Sequence, residues 1–358
     1  MLTLLEKLTV QGRKNHYNVK FLKGYGFAIS VKDSKIVLKN NYDPFSEPEY
    51  EEWYANKMPY EKIVLSGKGY ISTEALSLLS QNNRNVILLD TYDKPVTYMN
   101  PVMESLTATN YRIAQYDTFR NKEKREYLAR QIVKAKLESQ INFLKSLNND
   151  LVSDEIKTLD SFLQSGNYAE HKASKVYFKA FAKLIPIRYE FVSRNQNFIG
   201  NKKNNAPDVI NALLNYGYTV LAGEISKFVN GIGLDAYYGF YHKQHTGFQP
   251  LVYDLIEPFR WLVDYSVYKL ANSANNGQAI KKKDYAHTRE GFVVMDYNLI
   301  FRFLELLERT FQKERRYAFR HGRKTKDGLK DVQEITIAKI AVTNLVEFCL
   351  GKKPNFSI

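Results

Sequence analysis

Two carboxylates lie three residues apart in the stretch LVYDLIEPFR, at Asp254 and Glu257. On a helix this spacing puts both side chains on one face. Proline is tolerated only near a helix start, so Pro258 predicts that both acids lie in or just before a first turn. His242 precedes them in a turn-rich segment. Carboxylate oxygens with one imidazole are donors that suit magnesium or manganese, so the pattern indicates a metal site.

The same three side chains also fit a structural role. A lone histidine is commonly a hydrogen-bonded residue of the protein interior, and acids at a helix start interact favourably with the helix dipole. Spacing alone therefore leaves both interpretations open for His242, Asp254 and Glu257.

An amphipathic helix precedes this segment and predicts how it is positioned. Asp208, directly after Pro207, is the predicted N-cap, and Gly231 and Gly233 are predicted to end the helix. Apolar side chains recur on one face at helical spacing: Ile210, Leu213, Leu214, Leu221, Ile225 and Phe228.

The rest of the chain predicts an α+β fold with an N-terminal β-strand-rich domain, residues 1–95, followed by a larger all-α C-terminal domain. Residues 96–104 are predicted to be a hinge, and residues 105–358 to form the catalytic domain. A long helix is predicted over Ala114–Leu147. Its basic run RNKEKREYLARQIVKAK mixes acids with bases at helical spacing, which favours a solvated face.

Composition limits the classes of function. The 358 residues hold 52 Lys and Arg against 38 Asp and Glu, a net charge of +14, which indicates a polyanionic partner, either nucleic acid or an anionic membrane face. A single cysteine, Cys349, excludes an intramolecular disulfide and suits a reducing compartment. No apolar run approaches membrane-spanning length, so an intracellular, cytoplasmic protein is expected.

Three basic segments are candidates for DNA contact. Lys172 and Lys175 recur along a helix that begins near Tyr168. They could form a solvated stripe or a surface that contacts DNA phosphates, and both interpretations stay open. The loop Ser193–Ala206 carries Arg194, Lys202 and Lys203, for which phosphate contact and a plain surface loop are equally open.

The densest basic segment is Lys313–Lys326, which also contains Tyr317 and Phe319. Clustered basic residues with aromatic side chains favour nucleic-acid contact over a surface loop without a binding role. The candidate residues here are Arg315, Arg316, Arg320, Arg323 and Lys324.

Three motifs resemble one family in order and spacing. NALLNYGY (Asn211–Tyr218), GLDAYYGFYH (Gly233–His242) and LVYDLIEPFR (Leu251–Arg260) resemble the CRISPR-associated protein one family, the spacer-integrating nucleases of the CRISPR adaptation complex. The resemblance extends from about Gly67 to Leu350. It implies an N-terminal β domain and a helical catalytic domain.

The resemblance also implies a site and an activity. Glu170, at the head of its helix, corresponds to the family's first metal ligand, and His242 and Glu257 complete the catalytic set around Mg²⁺ or Mn²⁺. Asp254 is expected either to bind the metal or to support a ligand. The implied reaction is metal-dependent endonuclease and integrase chemistry, in which a DNA 3′-hydroxyl attacks a phosphodiester and foreign spacers enter the repeat array.

The family further implies double-stranded and branched DNA as substrates, a homodimer formed through the β domain, and a small dimeric CRISPR adaptation partner subunit. Two alternatives remain open from the residues. One is a non-catalytic DNA-binding scaffold whose acids and histidine are structural. The other is a stand-alone nuclease that acts on branched DNA in repair.

Overall fold

The computed structural model describes residues 19–40, 47–60, 62–89, 95–99, 106–166, 168, 170–194, 205–244, 248–273, 279–318 and 329–358. The chain divides into two compact units, Met1–Ser105 and Leu106–Ile358. The described part of the first unit is built on a β-sheet and that of the second mostly on helices, which confirms the predicted α+β class.

The sheet of the first unit is mixed, with the strand order β3-β2-β1-β4-β5-β6 in its described part. The pairs β1–β4 and β4–β5 are parallel, and the others are antiparallel. A helix, α1, Thr73–Gln81, connects the parallel strands β4 and β5. The strands are β1 Val19–Lys32, β2 Lys35–Asn40, β3 Glu49–Trp53, β4 Lys62–Ile71, β5 Asn85–Leu89 and β6 Pro95–Met99.

Strand β1 of this unit is irregular, and part of the predicted hinge belongs to β6. Strand β1 runs through Gly24 and Gly26 with a bulge between Tyr25 and Phe27. Both glycines adopt positive φ, so they bend the strand without ending it. Residues 96–99 belong to β6 and not to a hinge, and residues 100–104 of the predicted hinge lie outside the described residues.

The second unit contains the helices that carry the candidate site. The predicted helix Ala114–Leu147 is in fact two, because Asn121 interrupts it and its side chain accepts a hydrogen bond from the Lys124 amide. The helices are α2 Leu106–Arg120, α3 Lys122–Ser146, α4 Ser153–Gln164, α5 Glu170–Leu184, α6 Val209–Ile232, α7 Pro250–Ile256, α8 Arg260–Ala271, α9 Tyr297–Phe311 and α10 Glu334–Cys349.

Helix α6 lies in the core of this unit and is buried around most of its surface. The Asp208 side chain accepts from the Asn211 amide at 2.8 Å, which confirms the predicted N-cap. The helix ends at Gly233, which takes a positive φ of 95°. A Cβ at Gly217 would lie 2.4 Å from the Val263 side chain, so this glycine allows α6 and α8 to pack closely.

The second unit is mostly helical but not all-α. Among its described residues, two short antiparallel sheets pair β7 Tyr285–His287 with β8 Val293–Met295, and β9 Glu314–Ala318 with β10 Leu329–Gln333. The sequence analysis missed these strands, since three to five residues are too few for a clear alternation. Over the described part of the chain, no helix has the length and apolar character needed to span a bilayer.

Candidate active site

Of the two acids of LVYDLIEPFR, Glu257 lies just before a helix start as predicted, but Asp254 does not. Helix α7 begins at Pro250, so Asp254 lies in its interior, and Glu257 opens a 3₁₀ turn that ends at Phe259. This turn accommodates Pro258 and leads directly into α8. The dipole of a first helical turn therefore does not explain how the Asp254 carboxylate is stabilised. The hydrogen bonds that Asp254 accepts must stabilise it instead.

Asp254 is fully buried and holds the segment that carries His242. Its Oδ1 accepts from the backbone amide of His242 at 2.8 Å and lies 2.7 Å from Nδ1 of the same residue. Its Oδ2 accepts from the amides of Phe240 and Tyr241 at 2.7 and 3.1 Å. Burial raises the pKa of the Asp254 carboxyl above its ordinary value, and the hydrogen bonds from His242 oppose that rise.

These contacts orient the imidazole. An ionised carboxylate can only accept hydrogen bonds, so the proton of a neutral His242 belongs on Nδ1, beside Asp254. The Nε2 atom then carries the lone pair and lies 3.8 Å from Oε1 of Glu257. Because both Asp254 oxygens are already engaged, this residue supports a ligand more readily than it serves as one.

Gly239 makes this approach of backbone to carboxylate sterically accessible. A Cβ at this position would lie 2.7 Å from Asp254 Oδ2 and 2.7 Å from the Pro250 Cβ. Both contacts are shorter than side-chain atoms tolerate, so only glycine fits between the chain at Phe240 and helix α7.

A buried lysine joins the other two candidate ligands. Lys136, on α3, places its Nζ 2.7 Å from Glu170 Oε1 and 2.7 Å from Glu257 Oε2. The second oxygen of Glu170 accepts a hydrogen bond from the Tyr241 hydroxyl. The structure therefore brings Glu170, His242 and Glu257 together at one place, where α3, α5 and the Glu257–Phe259 turn meet.

Glu257 is the most enclosed of these side chains, with 3% of its side-chain surface exposed. Its Oε1 lies 2.9 Å from Arg260 Nη2. Its Oε2 forms an ion pair with the Lys136 ammonium at 2.7 Å. Burial raises the pKa of the Glu257 carboxyl, but the charges of Arg260 and Lys136 outweigh burial and bring the pKa below its ordinary value.

Behind Glu257 lies a buried network that fixes Arg260. The guanidinium stacks over the Tyr218 ring at 4.8 Å. The Tyr218 and Tyr177 hydroxyls both donate to the carboxylate of Asp264. Burial raises the pKa of Asp264 to about 6, and the hydrogen bonds from the two tyrosines oppose that rise. The network couples the candidate site to the core of the helical unit.

The donor set fits a small divalent cation in its chemistry, although the side chains are not arranged as a chelate. Among the described residues, no three side chains of His, Cys, Asp or Glu form a group that could hold a metal ion. The ammonium of Lys136 stands between Glu170 and Glu257, where it supplies positive charge to both carboxylates. Glu257 Oε2 is buried and already holds one cation, the Lys136 ammonium at 2.7 Å, so the site accepts positive charge at this oxygen.

The candidate DNA-contacting residues are placed differently from one another. Lys172 and Lys175 are exposed on α5. Arg194 turns inward, since its guanidinium donates to the side chains of Asn211 and Asn215 and stacks over Tyr218. This placement argues against the predicted phosphate contact for Arg194.

In the basic segment near the C-terminus, Arg315 contacts Glu334 at 2.9 Å and remains half exposed. Arg316 is exposed on β9. The remaining candidates, Lys202, Lys203, Arg320, Arg323 and Lys324, lie outside the described residues.

Sequence reasoning missed three residues of this site: Lys136, Tyr241 and Arg260. Lys136 falls in the basic run that was interpreted as a solvated face, yet the structure buries it. The signal was present, because Lys136 follows Ile132 by four residues and precedes Gln140 by four, on the buried stripe of α3. Arg260 follows Glu257 by three residues, which is a spacing for ion pairs on one face.

Fold and site together define a class: a protein with a β-sheet unit and a mostly helical unit that holds two glutamates, a histidine and its supporting aspartate. The family model of CRISPR associated protein Cas1 matches residues 21–309. The chain belongs to this family, which confirms the resemblance found in its motifs.

Individual relatives agree with this assignment. The chain is 31% identical over 278 residues to CRISPR-associated protein Cas1 3 of Methanobrevibacter ruminantium, covering 70% of this chain and 77% of the relative. It is 29% identical over 273 residues to CRISPR-associated endonuclease Cas1 1 of Archaeoglobus fulgidus, covering 69% and 76%. The fold resembles that of a casposase bound to integration product, with a TM-score of 0.78, 25% identity, and coverage of 95% of this chain and 92% of that one.

Proposed function

We propose that this protein is a divalent-metal-dependent DNA endonuclease and integrase of CRISPR adaptation, which joins DNA spacers to a repeat array. One observation carries the proposal: Glu170, Glu257 and the Nε2 side of His242 converge in the helical unit of a Cas1 family chain. Two similar proteins support it by name, one an endonuclease and the other a casposase bound to integration product.

Glu170, His242 and Glu257 are the residues that would hold Mg²⁺ or Mn²⁺. When bound, the ion would supply electrostatic stabilisation for the charge that develops on the phosphate and the leaving oxygen. Three neighbouring residues would support the ligands of this ion. Asp254 keeps the proton of His242 on Nδ1 so that Nε2 can bind. Arg260 favours the ionised form of Glu257, and Tyr241 orients Glu170.

The reaction needs no nucleophile from the protein. In joining, the 3′-oxygen of the incoming DNA forms a bond to phosphorus, the existing phosphorus–oxygen bond of the target strand breaks, and the proton of the attacking hydroxyl passes to solvent. In cleavage, water takes the place of the 3′-hydroxyl. In-line displacement of this kind depends on positioning and charge stabilisation, which is what the set of buried, mutually fixed side chains offers.

Partners follow from the family and the charge. A net charge of +14 suits double-stranded and branched DNA as the substrate. Assembly as a homodimer and with a small dimeric adaptation partner is proposed on family membership, as is a cytoplasmic location.

A strand-transfer assay tests the proposal. A short duplex with free 3′-hydroxyl ends is incubated with a supercoiled plasmid that carries a repeat array, the partner subunit and Mg²⁺ or Mn²⁺. We expect joined product from the wild type and from His287→Ala, and none from His242→Ala, with DNA binding retained in all three. His287 is a matched control because its imidazole is exposed and contacts the Pro207 carbonyl and the Tyr285 ring, neither of which belongs to the candidate site.

The alternatives give different outcomes in the same assay. A scaffold would bind DNA and yield neither cut nor joined product with either metal. A stand-alone repair nuclease would cut branched DNA through His242 but would not join duplex ends to the plasmid. Either result would overturn the integrase proposal.

A further inference from the structure

Lys136 occupies an unusual position for a lysine. It lies on the buried stripe of α3, and its side chain is 11% exposed. Its ammonium lies at 2.7 Å from one oxygen of Glu170 and from one oxygen of Glu257. A charge is buried at considerable cost unless it is paired, and two carboxylates brought together repel one another. Lys136 resolves both difficulties, because one cation compensates two anions.

We propose that Lys136 is an internal counter-ion that competes with the metal for Glu170 and Glu257: it holds the two carboxylates together before the metal binds and withdraws when the metal arrives. This inference rests on the proposed function, because it takes both glutamates as ligands. A divalent ion must approach carboxylate oxygens to within about 2.0–2.2 Å. The ammonium already contacts one oxygen of each glutamate, and like charges exclude one another from one site.

The surroundings of Lys136 allow this withdrawal. A pocket beside it is lined by Lys136 and Glu170 together with Gln140, Tyr168 and Ser174. The amide and hydroxyl groups of these three residues can accept hydrogen bonds from an ammonium group. The four-carbon stem of lysine is flexible, so the Nζ atom can leave the carboxylates while the α3 backbone stays in place.

Competition of this kind weakens the apparent affinity for the metal. The metal binds only the fraction of molecules whose carboxylates are free of the ammonium, so its dissociation constant increases by the reciprocal of that fraction. Removing the ammonium should therefore tighten metal binding, although it removes two ion pairs from the protein. A lysine whose role was only structural, or which helped to bind the metal, would give no such gain.

Calorimetric titration with Mn²⁺ alone, without DNA, tests the inference. We expect Lys136→Met to bind Mn²⁺ at least about tenfold more tightly than the wild type. Lys136→Arg keeps the charge and should bind no more tightly than the wild type. Lys134→Met is the matched control on the same helix, because Lys134 pairs with Glu138 at 3.7 Å on the surface. Equal or weaker Mn²⁺ binding by Lys136→Met would overturn the inference.

A measurement on the wild-type protein remains informative if Lys136→Met does not fold. An amine-acetylating reagent, followed by peptide mass spectrometry, should label Lys136 more rapidly when Mn²⁺ is present, because a side chain that has left the two buried carboxylates is more accessible to the reagent. Labelling of Lys134 should not change. Unchanged labelling of Lys136 at saturating Mn²⁺ would contradict withdrawal.

The proposed function and this inference fail in distinguishable ways. If neither the wild type nor Lys136→Met binds Mn²⁺, or if Glu257→Gln binds it as well as the wild type, the assigned ligands are wrong and both proposals fall. If the wild type binds Mn²⁺, Glu257→Gln does not, and Lys136→Met shows no gain, the metal site stands and only the competition is refuted.

Discussion

His242 Nδ1 lies 2.7 Å from Asp254 Oδ1, and Nε2 of the same ring lies 3.8 Å from Glu257 Oε1. One imidazole thus connects a buried, fully hydrogen-bonded carboxylate with a candidate metal ligand. A ligand histidine commonly donates its other ring N–H to a carboxylate, which fixes both the tautomer and the ring orientation. This relationship makes Asp254 a positioning residue.

Asp254→Asn is expected to reduce strand transfer by about 10- to 100-fold, the range typical for residues that support a metal ligand. An asparagine offers one carbonyl oxygen where Asp254 accepts from three backbone amides and Nδ1, so the ring loses its fixed orientation. The measurement is Mn²⁺ affinity by calorimetry together with the strand-transfer rate.

Asp235→Asn is the control for a loss of local hydrogen bonds, since Asp235 accepts from the Tyr116 hydroxyl at 2.8 Å and the Tyr237 amide at 2.8 Å. It should lower thermal stability without lowering Mn²⁺ affinity. If both variants lost Mn²⁺ affinity equally, a specific role of Asp254 in orienting His242 would be refuted.

Replacing Lys172 and Lys175 with glutamine should weaken DNA binding in a salt-dependent way. Each phosphate contact contributes about 0.9 to the magnitude of the slope of log K against log salt concentration. The slope of the double variant should therefore be smaller in magnitude by up to about 1.8. Fluorescence anisotropy with a duplex of fixed sequence over a salt series measures this slope.

A double variant at Lys134 and Lys145 removes the same charge and serves as the control. Their ammonium groups pair with Glu138 at 3.7 Å and Asp160 at 2.8 Å. This variant should keep the wild-type slope. Equal slopes in both double variants would mean that Lys172 and Lys175 form a solvated stripe, which is the alternative that their spacing left open.

Sequence reasoning predicted the parts of the molecule that depend on local patterns. The Asp208 cap and the α+β class follow from capping chemistry and periodicity, which act over a few residues. Glu170, His242 and Glu257 were found through motif order, and the structure places them close to one another. Their catalytic roles remain proposals.

The parts that could not be predicted depend on contacts between distant segments. Lys136 and Glu257 are far apart in sequence, so nothing local shows that a lysine in a charged run reaches a buried glutamate. The position of Asp254 inside α7 was missed because Pro258 was taken as a helix start, whereas a 3₁₀ turn carries it. Hydrogen bonds from the Phe240–His242 backbone, not a dipole, satisfy Asp254.

Lys183→Met is expected to lower the free energy of unfolding by about 1–2 kcal/mol, because a buried carboxylate loses one of its partners. The partial exposure of Lys183 reduces this cost, since solvent screens its charge. Glu155 is 5% exposed and contacts Lys183 at 2.8 Å and Lys179 at 3.3 Å. Urea unfolding measures the change.

The matched control is Lys157→Met, because Lys157 pairs with the exposed Asp154 at 3.7 Å. This variant should change the free energy of unfolding by less than about 0.5 kcal/mol. If both variants changed the free energy of unfolding by the same amount, the ion pair between Lys183 and the buried Glu155 would stabilise the protein no more than a surface ion pair does.

Asp264 should make the stability of the protein decrease as pH rises through the acid range. Burial raises its pKa from 3.8 to about 6 in the folded protein, so at intermediate pH the folded state holds a proton that the unfolded chain has released. Protons bound preferentially by the folded state stabilise it at low pH, and this contribution disappears as pH rises through the folded pKa. About 1.4 kcal/mol per pKa unit gives a total of roughly 3 kcal/mol.

Asp264→Asn isolates this contribution from those of other carboxylates, including Glu257, whose lowered pKa acts in the opposite direction. Urea unfolding of both proteins from about pH 4 to about pH 7 gives the stability of the wild type minus that of the variant at each pH. This difference should fall by roughly 3 kcal/mol over that range and then level off, because above the folded pKa both states of the wild type are ionised. Parallel stability curves would show that Asp264 is ionised throughout, in which case Tyr177, Tyr218 and Arg260 compensate its burial completely.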